Sequence, residues 1–129
     1  MKHVLLVGYN PSTVDFADPA LPPGMTAEKI HAGVEVALKQ MADRGWQADY
    51  CYIRPDQTAV ATVQRKLAEK PWDCVVVGAG LRLPPKSLAL FEALINAIHR
   101  SAPATAIAFN TRPDDSADAA ARWLIANSP

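Results

Sequence analysis

Four times along this chain a short apolar run is followed by a longer amphipathic stretch, and that alternation constrains the fold more than any other feature. "HVLLVGY" (3–9) is an aliphatic and β-branched run ended by Gly8, the pattern of a strand buried on both faces. From Thr26, a plausible N-cap, "TAEKIHAGVEVALKQMADRG" sets Ile30, Val34, Ala37, Leu38 and Met41 on one helical stripe, with Gly45 as the stop. "ADYCYI" (48–53) reads as a second strand, and Asp56 then caps a helix carrying Val60, Val63 and Leu67 that Pro71 closes. "DCVVVGAG" (73–80) is the most strand-like segment; the helix 85–100, "PKSLALFEALINAIHR", follows with Leu88, Phe91, Ile95 and Ile98 along one side. "ATAIAFN" (104–110) and "DSADAAARWLIA" (115–126) complete a fourth strand and helix.

No hairpin signal separates any two strands. Strands alternating with helices through right-handed crossovers give a parallel sheet with helices on both faces. The simplest arrangement puts the first strand in the middle, order 2-1-3-4, in a three-layer doubly wound α/β fold of the flavodoxin-like/Rossmann-like kind. At 129 residues the chain is expected to form one domain, 1–129. Strand order also bears on the two cysteines: Cys51 and Cys74 would lie about 10 Å apart with the first strand between them, beyond disulfide reach. Buried free thiols are expected.

Thirteen basic residues balance thirteen acidic ones, so no global field draws the chain to nucleic acid or to an anionic membrane. The apolar stretch of "MKHVLLVG" is too short for a signal-peptide core, and nothing approaches the roughly 20 apolar residues of a membrane span. The expectation is a soluble cytoplasmic protein. No cysteine or histidine spacing suggests a metal.

In an open parallel sheet of this order, ligands bind beyond the carboxyl ends of the strands, where the direction of travel across the sheet reverses. That crevice lies between the loops after the first and third strands. The first, "GYNPSTVDFADPALPPGMT", is far longer than the usual connection of roughly 4–6 residues and offers Asn10, Ser12 and Thr13. The second, "GAGLRLPPKS", offers Gly78, Gly80, Arg82 and Lys86. Asn110, Thr111 and Arg112 reach in from the side, and His31 stands near the edge on the first helix, one turn after Glu28.

Gly78-Ala79-Gly80 invites a phosphate-binding reading, but GxGxxG is absent and Pro84 and Pro85 remove amide donors. A tight turn explains the glycines more simply, with an anion nest served by Arg82 or Lys86 as the alternative. The chain has neither the acidic cluster of a receiver domain nor the short phosphate loop of a flavodoxin, and GxxxxGK[ST], GxSxG and HExxH do not occur. Glu28 beside His31 could make the histidine a general base; a helix-terminal carboxylate next to a half-exposed histidine accounts for them more simply. Glu92, Asn96 and His99 align on the third long helix, but toward the opposite edge. Asp15 and Asp18 read as turn formers beside proline. No nucleophile–base pair is visible, and redox or nucleotide-cofactor binding keeps only the fold as support, with any cofactor unknown.

Val14, Phe16, Leu21 and Met25 in the long loop must pack on something. Loop 9–25 could fold back as a lid over the crevice. It could instead join helix 85–100, where Leu90 and Leu94 widen the apolar stripe, as the interface of a homodimer. "PALPPGMTAEKI", "VVVGAG" and "FEALINAIHR" make the chain resemble small uncharacterised bacterial proteins with a flavodoxin-like/Rossmann-like fold. The resemblance implies that fold and a bacterial cytoplasmic setting, and carries no activity. Two functions follow as expectations: binding of a small polar or anionic metabolite under loop 9–25, or a non-enzymatic homo-oligomeric module.

Overall fold

The computed structural model describes residues 1–124. Strands β1 (His3–Tyr9), β2 (Gln47–Ile53), β3 (Cys74–Val77) and β4 (Ala106–Phe109) form one parallel sheet in the order β2-β1-β3-β4. Between them run α1 (Ala27–Asp43), α2 (Thr58–Leu67), a single helical turn α3 (Ala79–Arg82), and α4 (Leu88–Ser101); α5 (Ser116–Leu124) follows β4. This is the doubly wound α/β arrangement that the alternating pattern predicts.

The central position of β1 explains its composition. Leu5 and Val7 point to one face, where Val75 and Val77 join Ala59, Val63 and Leu67 of α2 and Leu94 and Ile98 of α4. Val4 and Leu6 point to the other, where Cys74, Val76 and Ala108 meet Ala37 and Met41 of α1 and the alanines of α5. A strand covered on both faces has no position for a polar side chain, so its sequence is a continuous apolar run. The alanines at 117, 119 and 120 let α5 lie close against the sheet.

Helix ends follow local chemistry. Thr26 accepts the Lys29 amide at 3.2 Å to start α1, and Gly45, at φ +81°, follows its last turn. Asp56 acts one residue earlier than expected: Gln57 is the N-cap of α2, and the Asp56 carboxylate accepts the Thr58 amide at 2.9 Å.

Two expectations about segments change. The helix expected over 85–100 begins with a 3₁₀ turn, Pro85–Ser87, before α4. Of the expected stripe, Ile98 is buried and Phe91 and Ile95 pack against the same core, while Leu88, the first residue of α4 after that turn, is 64 % exposed and Leu94 and Ala97 complete the buried face. Leu94 is wholly buried and Leu90 packs against the same core, so neither is surplus surface for a subunit contact. The Gly78–Gly80 segment is more than a tight turn: Gly78 is the N-cap of α3, which shortens β3 to four residues. Residues 125 and 126 of the expected last helix lie outside the described residues.

Cys51 and Cys74 are free and buried on the strands flanking β1. Burial pushes their thiols up, to about 11 and about 12. Among the described residues no helix is long and apolar enough to cross a membrane.

Candidate functional site

The chain leaves β1 at Tyr9, beside the end of β3, and the next seventeen residues build the edge of the sheet from local hydrogen bonds. Asn10 accepts the Ser12 amide at 3.1 Å and its hydroxyl at 2.9 Å, while the Thr13 hydroxyl donates to the Asn10 carbonyl at 2.7 Å. These three candidate residues therefore hold one another in the 3₁₀ turn Pro11–Thr13. Asp15 and Asp18 each accept an amide two residues on, from Ala17 and Ala20, which is the turn chemistry expected of them. Their second oxygens both reach Lys86, at 2.9 and 3.3 Å. The hydrogen-bonded Lys86 ammonium holds the Asp15 carboxyl below its ordinary value, and Asp15 in turn raises Lys86. The long loop is thus fastened across the crevice to the loop after β3, and its later residues turn at Gly24, φ +76°, where Lys29 donates to the Gly24 carbonyl.

This path divides the crevice into two cavities whose walls share Tyr9 and Leu21. The first, of about 110 Å³, lies on the α1 side; Leu21, Pro22 and Met25 cover it, Ile30 and Val34 of α1 form one wall, and residues 110–113 the other. Its floor needs glycine. A Cβ at Gly8 would overlap the Tyr50 hydroxyl, and one at Gly78 would stand 3.2 Å from the Val7 carbonyl oxygen. Tyr50 donates to the Tyr9 carbonyl at 3.2 Å, and burial, with smaller contributions from Tyr52 and Cys51, pushes its phenol well above the ordinary range.

Gly78, Gly80, Asn110, Thr111 and Arg112 line this cavity. The anion-nest alternative finds no backbone to carry it. Neither glycine has positive φ, which a nest requires, and the Ala79 amide already donates to the Asn110 side chain at 2.8 Å. Asn110, 3 % exposed, also donates to Ser116 at 2.9 Å, so its side chain braces the β3 and β4 ends together. Arg112 pairs with Asp114 at 2.7 Å, and the Thr111 hydroxyl bonds to Asp115. Arg82 lines neither cavity: it donates to the Asn110 carbonyl at 2.7 Å and its guanidinium lies 5.9 Å from the Phe109 ring.

The second cavity, of about 340 Å³, lies on the α2 and α4 side. Thr13 and Lys86 are the candidate residues that line it, beside Asp15, Asp18, Tyr9 and Ser87. The Tyr9 and Ser87 hydroxyls are 2.9 Å apart. Sequence reasoning missed both, although a serine preceding an apolar helix and a tyrosine closing a strand after glycine were visible signals.

Asn10, Ser12 and His31 line neither cavity. His31 is exposed, with its ring 6.4 Å from that of Tyr52, and no hydrogen bond joins it to Glu28 among the described residues. Glu92 and Asn96 line a groove between α2 and α4, where Asn96 donates to the Glu92 carbonyl of its own helix. Among the described residues no cluster of three or more metal-ligating side chains occurs. No protein-family model, no curated protein and no solved structure matches the chain.

Proposed function

We propose that the protein binds a small molecule with an apolar body and a polar or anionic end, held in the first cavity beneath the long loop. One observation carries this reading: Leu21 and Met25, apolar residues on a connection far longer than the fold requires, cover a cavity at the switch point of the sheet. The volume of about 110 Å³ is close to the ~150 Å³ that accommodates benzene in an engineered protein cavity. It suits a ligand of a few heavy atoms or one end of a larger one, and not a buried nucleotide or flavin. Apolar walls from Ile30, Val34 and Leu81 would take the body, and Arg112, whose guanidinium keeps donors beyond the one it gives Asp114, the polar end.

A thermal-shift panel of short carboxylic acids, alcohols and small aromatics tests the reading, because a ligand of the native state alone must raise its melting temperature. Met25→Ala should weaken the best ligand about tenfold by removing part of its cover, a loss of roughly 1.4 kcal/mol. Arg112→Gln should remove any preference for acids. The reading fails if no panel member shifts the transition, or if the best one binds Met25→Ala unchanged.

Self-association is the second reading, and it rests on exposed Leu83 and Leu88 and on Phe109 of the edge strand β4, rather than on Leu90 and Leu94. A monomer in sedimentation at the concentration used for binding removes it.

A further inference from the structure

We propose that the second cavity is a binding site for a small organic monocation, a primary ammonium carried on an apolar body. The site is separate from the first cavity, and the proposal stands or falls independently of the reading given above. Its volume of about 340 Å³ falls within the ~300–1,000 Å³ of small-molecule sites, and it occupies the α4 side of the same switch point.

Charge selects the ligand. The ionisable side chains lining the cavity that carry charge at neutral pH are Asp15, Asp18 and Lys86, two carboxylates sharing one ammonium at 2.9 and 3.3 Å. Their sum is one negative charge, which a single added cation neutralises. The neighbouring Arg54 does not supply it, being 3.5 Å from its own partner Asp56. Asp18 is the more enclosed carboxylate, its side chain 10 % exposed, so an ammonium meeting it there would be less screened than one at the surface. A carboxylate offers about four acceptor positions. Asp15 and Asp18 each spend one on a backbone amide and one on Lys86, which leaves capacity for a second ammonium. An anionic ligand meets the opposite situation, because Lys86 is already committed to both carboxylates.

The uncharged lining suits the rest of such a molecule. Val14, Leu21 and Leu90 present apolar surface, while the Tyr9 and Ser87 hydroxyls keep hydrogen-bonding capacity beyond the bond they share.

Phenethylamine and n-pentylamine are the probes, with phenethyl alcohol and 3-phenylpropanoic acid as matched neutral and anionic controls. Titration of the ¹⁵N-labelled protein should shift the amides of Tyr9, Asp18 and Ser87 with the amines, and the controls should bind at least about tenfold more weakly. Asp18→Asn should weaken amine binding about tenfold, and Asp15→Asn should act in the same direction if Asp18→Asn does not fold. Met25→Ala, in the first cavity, should leave it unchanged. Equal binding of amine and alcohol, or an unaltered affinity in the aspartate variants, overturns the proposal.

Discussion

The hydroxyl of Tyr50 occupies the space that any side chain at Gly8 would need, and this one packing relation fixes the floor of the first cavity. Gly8→Ala should cost about 1–3 kcal/mol, the range for overpacking a close-fitting site, measured by denaturant unfolding. In a Tyr50→Phe background the same substitution should cost less, with a coupling above ~0.5 kcal/mol; strictly additive effects would mean that the hydroxyl is not the obstacle. The sequence marks Gly8 as the end of a strand, but its reason for being glycine lies on β2, in the Tyr50 side chain two residues before its register partner Tyr52. Such a reason is invisible until pairing is known. The candidates Asn10, Ser12 and Thr13 teach a related lesson: side chains rich in hydrogen-bonding groups were legible as polar, but their partners turn out to be one another.

At the scale of elements, the long loop behaves as a strap with a fastening. Its folded form depends on Lys86 reaching Asp15 and Asp18, and the pH at which it loosens follows from the sign of the shift. The Asp15 carboxyl lies below its ordinary value of 3.8 in the folded chain, first because of its hydrogen bond to Lys86. Its contribution is therefore present above that ordinary value and lost as pH falls through the lower folded one. Amide exchange and chemical shifts over residues 14–22 should change in that acid window, before the core does, and Asp15→Asn should already show the loosened state at neutral pH. If the segment responds identically in wild type and variant, the fastening is not what holds it. The order of elements was legible because each strand and helix carries its own period. The start of α4 was not, because Pro85–Ser87 form a 3₁₀ turn of their own and leave Leu88 as the first residue of the helix. Phe91, Ile95 and Ile98 of its expected stripe pack on the core and Leu88 does not, while the α1 stripe, entered directly from its Thr26 cap, held.

For the whole molecule, the strand order decides what is reachable. Cys51 and Cys74 sit on either side of β1, buried and with raised thiol values, so both should resist alkylation in the native state and react only as fast as the chain opens. Labelling of either thiol faster than global unfolding would contradict that burial. The sheet order could be read from the sequence because a strand apolar on both faces must lie inside. The division of the crevice into two cavities could not, since it depends on where seventeen loop residues travel and on ion pairs between residues about seventy positions apart. The same central placement of β1 has a cost during synthesis. Its second neighbour, β3, begins about 65 residues after β1 ends, a delay of roughly 3–13 s at ~5–20 residues per second. Val4, Leu5, Leu6 and Val7 leave the ribosome ahead of every surface that will cover them, so the most protected segment of the finished protein is the one left uncovered longest while it is being made.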